Sequence, residues 1–490
     1  LGADVSYHVP NRLEDGYGLN EQAIKKLAER GKRLIVSVDC GITSVSHAEL
    51  CKELGVELVI TDHHTIGEQL PDATAIVHPR LPGTSYPFGE LCGAGVAFKL
   101  AWAVCQHQCG GERVSEPLRR YLMQSLALAA IGTVADVVPL LDENRILVEH
   151  GLRVLKEEPT PGLAELMRIT KLDQASHLDT ESISFTIAPR LNAAGRLGQA
   201  QLAIELLTIG AGDRTQQLAE YIHQLNVQRD SLQRSVYLAA HKQAKEEFDI
   251  ENDAAFVLAG VGWHQGVIGV VAGRLSEKFA KPVVIVSLDA SGKPEAVGSG
   301  RVGGTSINLY EALSECQDKL IRFGGHAAAA GITIQEDKLS DFRQDFCEAI
   351  STQWVEKQVV PEITIDAEAT LGQLTLEVVR QIETLAPFGA GNPRPILCCR
   401  EVTLEEPARK MGSGERHLTV KLRQGDKVVR AVAFGASDWC DELNEAEEPI
   451  EIAYRPVINE FRGFRNVEIH LVDWRFKTSV HDAEPLKSRA

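Results

Sequence analysis

The chain has 490 residues, 44% of them hydrophobic, and a formal net charge of −17. That length suggests about three domains with ordinary cores, and the acidic balance excludes a protein that coats nucleic acid by bulk electrostatics, though not one that holds it in a local basic groove. No apolar run approaches the ~18 residues of a membrane span, the amino end does not read as a signal peptide, and the ten cysteines, single apart from Cys398-Cys399, read as reduced thiols of a cytoplasmic protein.

In chain order, Leu1-Gly2 resembles a helix end with its C′ glycine, which leads to an expectation of residues upstream. A strand is expected over 5–9, then a loop over 10–19 that carries Arg12. Next come a helix over 20–30, a strand over 33–39, a helix over 43–54, a strand over 56–60 and a short strand over 73–78. Strand and helix alternating in this way predict a parallel, doubly wound sheet. The two stronger strands end in Asp39-Cys40-Gly41 and in Asp62-His63-His64. Ligands of open α/β sheets sit outside the carboxyl ends of the strands. Each of these polar residues alone reads as a strand cap. Converging on one edge, they form a candidate site for a hard or borderline divalent cation, Mn²⁺ or Mg²⁺.

From about 93 to 158 the pattern turns helical, with the stretch 118–134 almost continuously apolar and Asp136 at its end. An acid flanked by valines and alanines is costly to bury unless paired or metal-bound; a structural cap is the alternative. Residues 188–198 read as a polar, glycine-bearing loop with Arg190 and Arg196, suited to phosphate contact or to a solvated turn. Residues 213–248 read as a long bridging helix with a thin apolar stripe.

A second α/β domain is expected over about 254–355, with strands over 255–258, 283–286, 296–302 and 331–334 and helices over about 266–279, 306–317 and 337–353. Two of its stretches read as loops: Gly298-Ser299-Gly300-Arg301, and the glycine- and alanine-rich 323–331 with Gly325 and His326. Glycines there would let backbone N–H groups approach an anion, with Arg301 and His326 as side-chain donors. Beyond about 361, short strands over 362–366, 396–404, 417–423, 428–434, 450–457 and 467–473, with a helix near 372–384, fit an OB-type barrel. Arg416, His417, Arg455, Phe461, Arg462, Phe464 and Arg465 are candidates for its groove, or ordinary hairpin residues.

Asp39-Cys40-Gly41, Asp62-His63-His64 and the segment 132–136 resemble motifs of the DHH phosphoesterase superfamily. Gly324-Gly325-His326 with Ala330-Gly331 resembles the associated DHHA1 domain. The segments 11–19, 188–198 and 385–393 narrow the resemblance to RecJ-type single-strand-specific 5′→3′ DNA exonucleases, over essentially the whole chain. The fold class expected is α/β: a parallel-sheet DHH domain over 1–199, connecting helices over 200–250, a smaller DHHA1 domain over 251–356, an OB-like β-barrel over 357–478 and a polar tail over 479–490. The family's opening Asp-x-Asp motif has no counterpart in the sequence. It is expected upstream of Leu1, so that the chain would be a fragment short of two metal-binding carboxylates and inactive by itself.

The resemblance implies two Mn²⁺ or Mg²⁺ ions held by Asp39, His63, Asp136 and the absent pair, for two-metal phosphodiester hydrolysis. His64 would contact phosphate or orient a ligand, and Asp62 would fix the histidines. Substrate contacts would come from Arg12, Arg190, Arg196, Ser299, Gly300, Arg301, Gly325 and His326, with Arg12, Ser299 and Arg301 forming a 5′-phosphate pocket. It further implies a cytoplasmic monomer of DNA repair and recombination that acts on single-stranded DNA with a 5′ end. A single-strand-binding protein and a helicase would be its partners, with no membrane. Two alternatives remain open: a DHH enzyme for short oligonucleotides, and a non-catalytic replication scaffold of the same fold.

Overall fold

Asn20 opens the first helix by accepting the Ala23 N–H at 3.0 Å, which satisfies one of the orphan donors of a helix start. That helix, α1 (Glu21–Glu29), leads into β1 (Leu34–Val38), α2 (Val45–Glu53), β2 (Glu57–Thr61) and β3 (Ala75–Val77). The three strands lie parallel in the order β1-β2-β3, as the alternating periods predict. Ile24, Ala48 and Cys51 from the helices close over Leu58 and Ile60 of β2. The computed structural model describes residues 2–10, 18–354, 362–412, 414–461 and 463–476, and the chain divides into two compact units, Leu1–Val359 and Val360–Ala490. Residues 2–10 form no strand, contrary to the expectation for 5–9. Val5 is 80% exposed, so the alternation of Val5, Tyr7 and Val9 meets no sheet edge among the described residues.

Helices α3 (Gly93–Cys109), α4 (Glu116–Ala135), α5 (Asp142–Glu157) and α6 (Pro161–Thr170) follow. The carboxyl half of α4 is the centre of this region: Ala127, Ala130, Ile131 and Val134 pack against Val148 and Leu155 of α5. The stretch expected as a loop over 188–198 is instead mostly helical. A π-helical turn, Ser182–Ile187, runs directly into α7 (Ala188–Arg196). Ile183, Ile187, Ala193 and Ala194 are all buried at helical spacing. Pro189 sits in the first turn, where a missing N–H costs nothing. The prolines and glycines of that stretch masked a helical period that burial enforces. After α8 (Ala200–Thr208) comes α9 (Asp213–Glu247), one helix of 35 residues. Its first half packs Leu218, Ala219 and Ile222 against α6 and α8, and its second half packs Val236, Ala240 and Ala244 into the next core.

That core belongs to β4 (Phe256–Val261), α10 (Gln265–Phe279), β5 (Val283–Leu288), β6 (Glu295–Arg301), α11 (Leu309–Glu315), β7 (Leu320–His326), β8 (Ala329–Gln335) and α12 (Leu339–Trp354). The sheet order is β4-β5-β6-β8-β7, with only β4 and β5 parallel. The strand expected over 296–302 is β6, so the stretch read also as a glycine loop is strand, and the second glycine loop is corrected to a hairpin. Gly298 to Arg301 lies inside β6, and 323–331 is the β7–β8 hairpin. Close packing accounts for the glycines: a Cβ on Gly298 would stand 2.6 Å from Ile332, and one on Gly300 would stand 2.9 Å from Leu309.

The second unit holds β9 (Ala367–Glu368), α13 (Leu376–Glu383), β10 (Leu397–Met411), β11 (His417–Gln424), β12 (Lys427–Ala433), α14 (Trp439–Asn444), β13 (Ile450–Phe461) and β14 (Phe464–Phe476). The first strand falls at 367–368 rather than over 362–366. Strands β10 to β14 close into a barrel, because β11 pairs with β10 as well as with β12. Tyr454, Trp474, Leu418 and Ile469 fill its interior, as the short alternating strands predict.

Candidate active site

The register of β1 and β2 pairs Val38 with Thr61, and the Asp39 N–H still donates to the Thr61 carbonyl at 2.9 Å. The chain then leaves the sheet: Asp39 has φ +63° and Gly41 φ +114°. A side chain on Gly41 would be strained in that region, and its Cβ would meet Ser37 Oγ at 2.9 Å. The turn directs the Asp39 carboxylate against Gly93 at the start of α3, where a Cβ would come within 2.1 Å of Oδ1. Glycine at 93 is therefore what makes room for Asp39.

Asp62 is 1% exposed and organises the second strand end. One oxygen accepts the Ile42 N–H at 2.9 Å; the other accepts the His63 N–H at 2.8 Å and contacts His64 Nδ1 at 2.6 Å. Burial opposes its charge, but these donors together hold its carboxyl below the usual range. His63 points Nε2 between two carboxylates, 3.1 Å from Asp39 Oδ1 and 3.4 Å from Asp136 Oδ2. The Asp39 carboxylate, against the effect of burial, raises the basicity of His63. Asp136 caps α4 with its side chain 41% exposed, so it is less enclosed than its apolar flanks imply. Desolvation pushes its carboxyl upward, His63 pulls it down, and Asp39 pushes it up again.

Ligand atoms of Asp39, His63 and His64 all lie within 4.8 Å of one another. Buried Nε2 of His63 faces two carboxylates without completing a hydrogen bond in good geometry to either. Two facing acids with an imidazole between them are what a divalent cation would relieve, and the oxygen–nitrogen donor set suits Mn²⁺ or Mg²⁺. The residues present fit such an ion, with Asp39, His63 and Asp136 as ligands. Asp62 engages Nδ1 of His64 and so orients its ring beside the cluster.

A cavity of about 310 Å³ opens over this cluster, lined by His63, His64, Asp136, Arg80, Glu90 and His326 among others. His326 ends β7, so the second sheet contributes to the same cavity. Gly325 before it has φ +146°, and a Cβ there would meet Ala329 O at 2.4 Å.

The other expected substrate contacts lie elsewhere in the first unit. Arg301 donates to Ser299 Oγ at 3.1 Å and to the Gly300 carbonyl at 2.6 Å. Among the described residues no carboxylate pairs with Arg301, and desolvation lowers its pKa. Gly269 of α10 forms the floor: its Cβ would stand 3.0 Å from Ser299 Oγ and 3.2 Å from Arg301 Nη2. Arg196, at the end of α7, donates to the Gly266 carbonyl one turn away on α10 at 3.2 Å. Arg190 reaches the Thr186 carbonyl at 2.6 Å and His223 Nδ1 at 3.2 Å, with its pKa lowered by desolvation. Arg12 lies outside the described residues. In the barrel, Phe464 is 74% exposed and Arg465 pairs with Glu460 at 3.1 Å. The side chain of Phe461 and the whole of Arg462 lie outside the described residues. Phe434, 61% exposed and in edge contact with the His417 and His470 rings, is a further aromatic that the sequence reading passed over.

Two residues next to the candidate cluster were not singled out from the sequence. His78 and Arg80 follow β3, the third parallel strand. His78 Nδ1 accepts the Arg80 N–H at 3.0 Å, so its Nε2–H donates to the His64 carbonyl at 2.8 Å. Arg80 Nη2 donates to the His63 carbonyl at 2.7 Å. The rule that selected the ends of the first two strands applies equally to the third.

Residues 1–133 match the DHH family N-terminal domain, 252–352 the DHHA1 domain and 365–473 the RecJ OB domain. Fold and site together define a DHH-type protein that carries a DHHA1 lobe and an OB barrel. The single-stranded-DNA-specific exonuclease RecJ of Bacillus subtilis is 37% identical over 96% of this chain, which spans 58% of that protein's length. The protein of the same name from Dickeya dadantii is 34% identical over 96% of this chain and 82% of its own length. A crystal structure of Thermus thermophilus RecJ in complex with Mn²⁺ superposes with a TM-score of 0.78 at 31% identity, covering 94% of this chain and 64% of that one. The chain belongs to the RecJ family.

Proposed function

We propose that the protein is a metal-dependent exonuclease that degrades single-stranded DNA from its 5′ end by phosphodiester hydrolysis, in DNA repair and recombination. The observation that carries this reading is the cavity lined by His63, His64, Asp136 and His326, where His63 faces the carboxylates of both Asp39 and Asp136. The names of the relatives, each a single-stranded-DNA-specific exonuclease, and the Mn²⁺ in the Thermus thermophilus structure support it.

Divalent ions at Asp39, His63 and Asp136, two in our reading, would supply the charge that polarises a phosphodiester and acidifies water. The chain's own residues do the positioning. Asp62 binds the backbone N–H groups on both sides of the cluster, so Asp39 and His63 keep their spacing without relying on the ligand. His64, oriented by Asp62, stands beside the cluster within reach of a phosphate bound there. Ser299 and Arg301 offer a hydroxyl and an uncompensated guanidinium to a terminal 5′-phosphate. Phe434 and Phe464 offer exposed rings for base stacking on the barrel.

The test is digestion of 5′-labelled single strands by the natural protein with Mn²⁺ or Mg²⁺. Mononucleotides released from the 5′ end, lost with a chelator and absent from a blunt duplex, are expected. Release from the 3′ end, or equal use of the duplex, would overturn the reading.

A further inference from the structure

Several arginines of this acidic chain pair with acids: Arg168 with Glu165, Arg214 with Glu205, Arg423 with Glu405. Arg80 does not. Among the described residues no carboxylate lies in ion-pair distance of it, although it lines the cavity shared by His63, His64 and Asp136. Its stem crosses Gly89, where a Cβ would stand 2.9 Å from Cγ and 3.3 Å from Cδ, so the glycine keeps the side chain laid over the cavity rim. One of its five N–H groups goes to the His63 carbonyl. The adjoining His78 holds the His64 carbonyl in the same way. The segment after β3 thus clamps both histidines by their carbonyls, while Asp62 holds their N–H groups.

We propose that Arg80 is a substrate-contacting residue that binds the phosphate of the nucleotide being released, both in the single strand and in the mononucleotide product. This rests on the exonuclease reading above. A guanidinium offers paired, parallel donors to phosphate oxygens, and such charge-assisted contacts are stronger than neutral ones. Because the same guanidinium is bonded to the His63 carbonyl, the phosphate it holds is aligned with the residue that ligates the ion. Arg301 stands within β6 against α10, so the two arginines divide the work. Arg301 takes the terminal 5′-phosphate, and Arg80 takes the phosphate at the ion.

The test uses Arg80→Ala and Arg80→Lys in the natural protein, with three readouts: kcat/KM on 5′-phosphorylated and 5′-hydroxyl oligothymidylate, dTMP binding, and Mn²⁺ affinity by calorimetry. For Arg80→Ala we expect kcat/KM to fall roughly ten- to hundredfold, equally on both strands. Binding of dTMP should weaken about tenfold and Mn²⁺ affinity should stay within about twofold, with Arg80→Lys recovering part of both losses. Unchanged dTMP binding would overturn the proposal. So would a loss of activity that excess Mn²⁺ restores, since Arg80 would then only brace His63. Wild-type protein that left single strands intact while still binding dTMP through Arg80 would overturn the exonuclease reading and leave the phosphate site standing.

Discussion

In the sheet of β1 to β3 the candidate ligands stand beyond the last residues of the strands. In the sheet of β4 to β8, Ser299 and Arg301 stand inside a strand, two apart on one face of β6. At a strand end the backbone has just lost its ladder, so its N–H and C=O groups need new partners. Asp62, His78 and Arg80 are those partners, and in serving the backbone they fix Asp39 and His63. On a strand face the backbone is already satisfied by β5 and β8. What positions Arg301 there is the space that Gly269 leaves, and a long side chain can adjust within it. A strand-end site should therefore fail abruptly and a strand-face site should fail by degrees.

The sharpest test of that contrast is Asp39→Ala or His63→Ala. Each removes a ligand and should lower Mn²⁺-dependent hydrolysis roughly a thousandfold or more, since several kcal/mol of charge stabilisation go with the ion. Far-UV circular dichroism should stay unchanged, because neither residue belongs to the core. Near-normal turnover in either variant would erase the distinction. Gly93→Ala is the next in size. It leaves every ligand in place but sets a methyl on the Asp39 carboxylate, and a strain of about 1–3 kcal/mol should appear as a roughly ten- to hundredfold loss of Mn²⁺ affinity by calorimetry. If affinity were kept, Asp39 would be as adjustable as Arg301 and the comparison would collapse. Arg301→Ala should give the smallest effect, about tenfold in kcat/KM on 5′-phosphorylated strands and less on 5′-hydroxyl strands, as for one charge-assisted contact of roughly 1.5 kcal/mol. Equal losses on both substrates would make Arg301 a general backbone contact.

The strand-end site was legible because two adjacent apolar runs each stop at a chemically unusual residue, and parallel pairing turns sequence proximity into spatial convergence. Asp136 drew notice as an acid closing an apolar helix; it caps α4 and also faces His63. Where the reading went astray, composition was taken for conformation. The glycines at 298 and 300, although inside a strand expected over 296–302, and the proline and glycine at 189 and 195 look like loop formers. The structure uses them for close strand packing and for a helix start. His78 and Arg80 were passed over because β3 has only three residues and its apolar run is weak, so the strand-end rule was not applied to it. Phe434 lies just past β12, and nothing in the local pattern separates a ring displayed on a barrel from a ring turned inward.

Helix α9 carries a consequence of another kind. At 1.5 Å per residue its 35 residues make a rod of about 52 Å, seated in one core by Leu218 and Ile222 and in another by Val236 and Ala240. Inserting one residue between those seats would turn one end by about 100° against the other, and neither core could follow. Such a rod keeps phase between its ends as a camshaft does, and no loop lies along it to absorb an error of timing. The chain should thus tolerate added length least around residues 227–235, a stretch that holds none of the metal ligands named above.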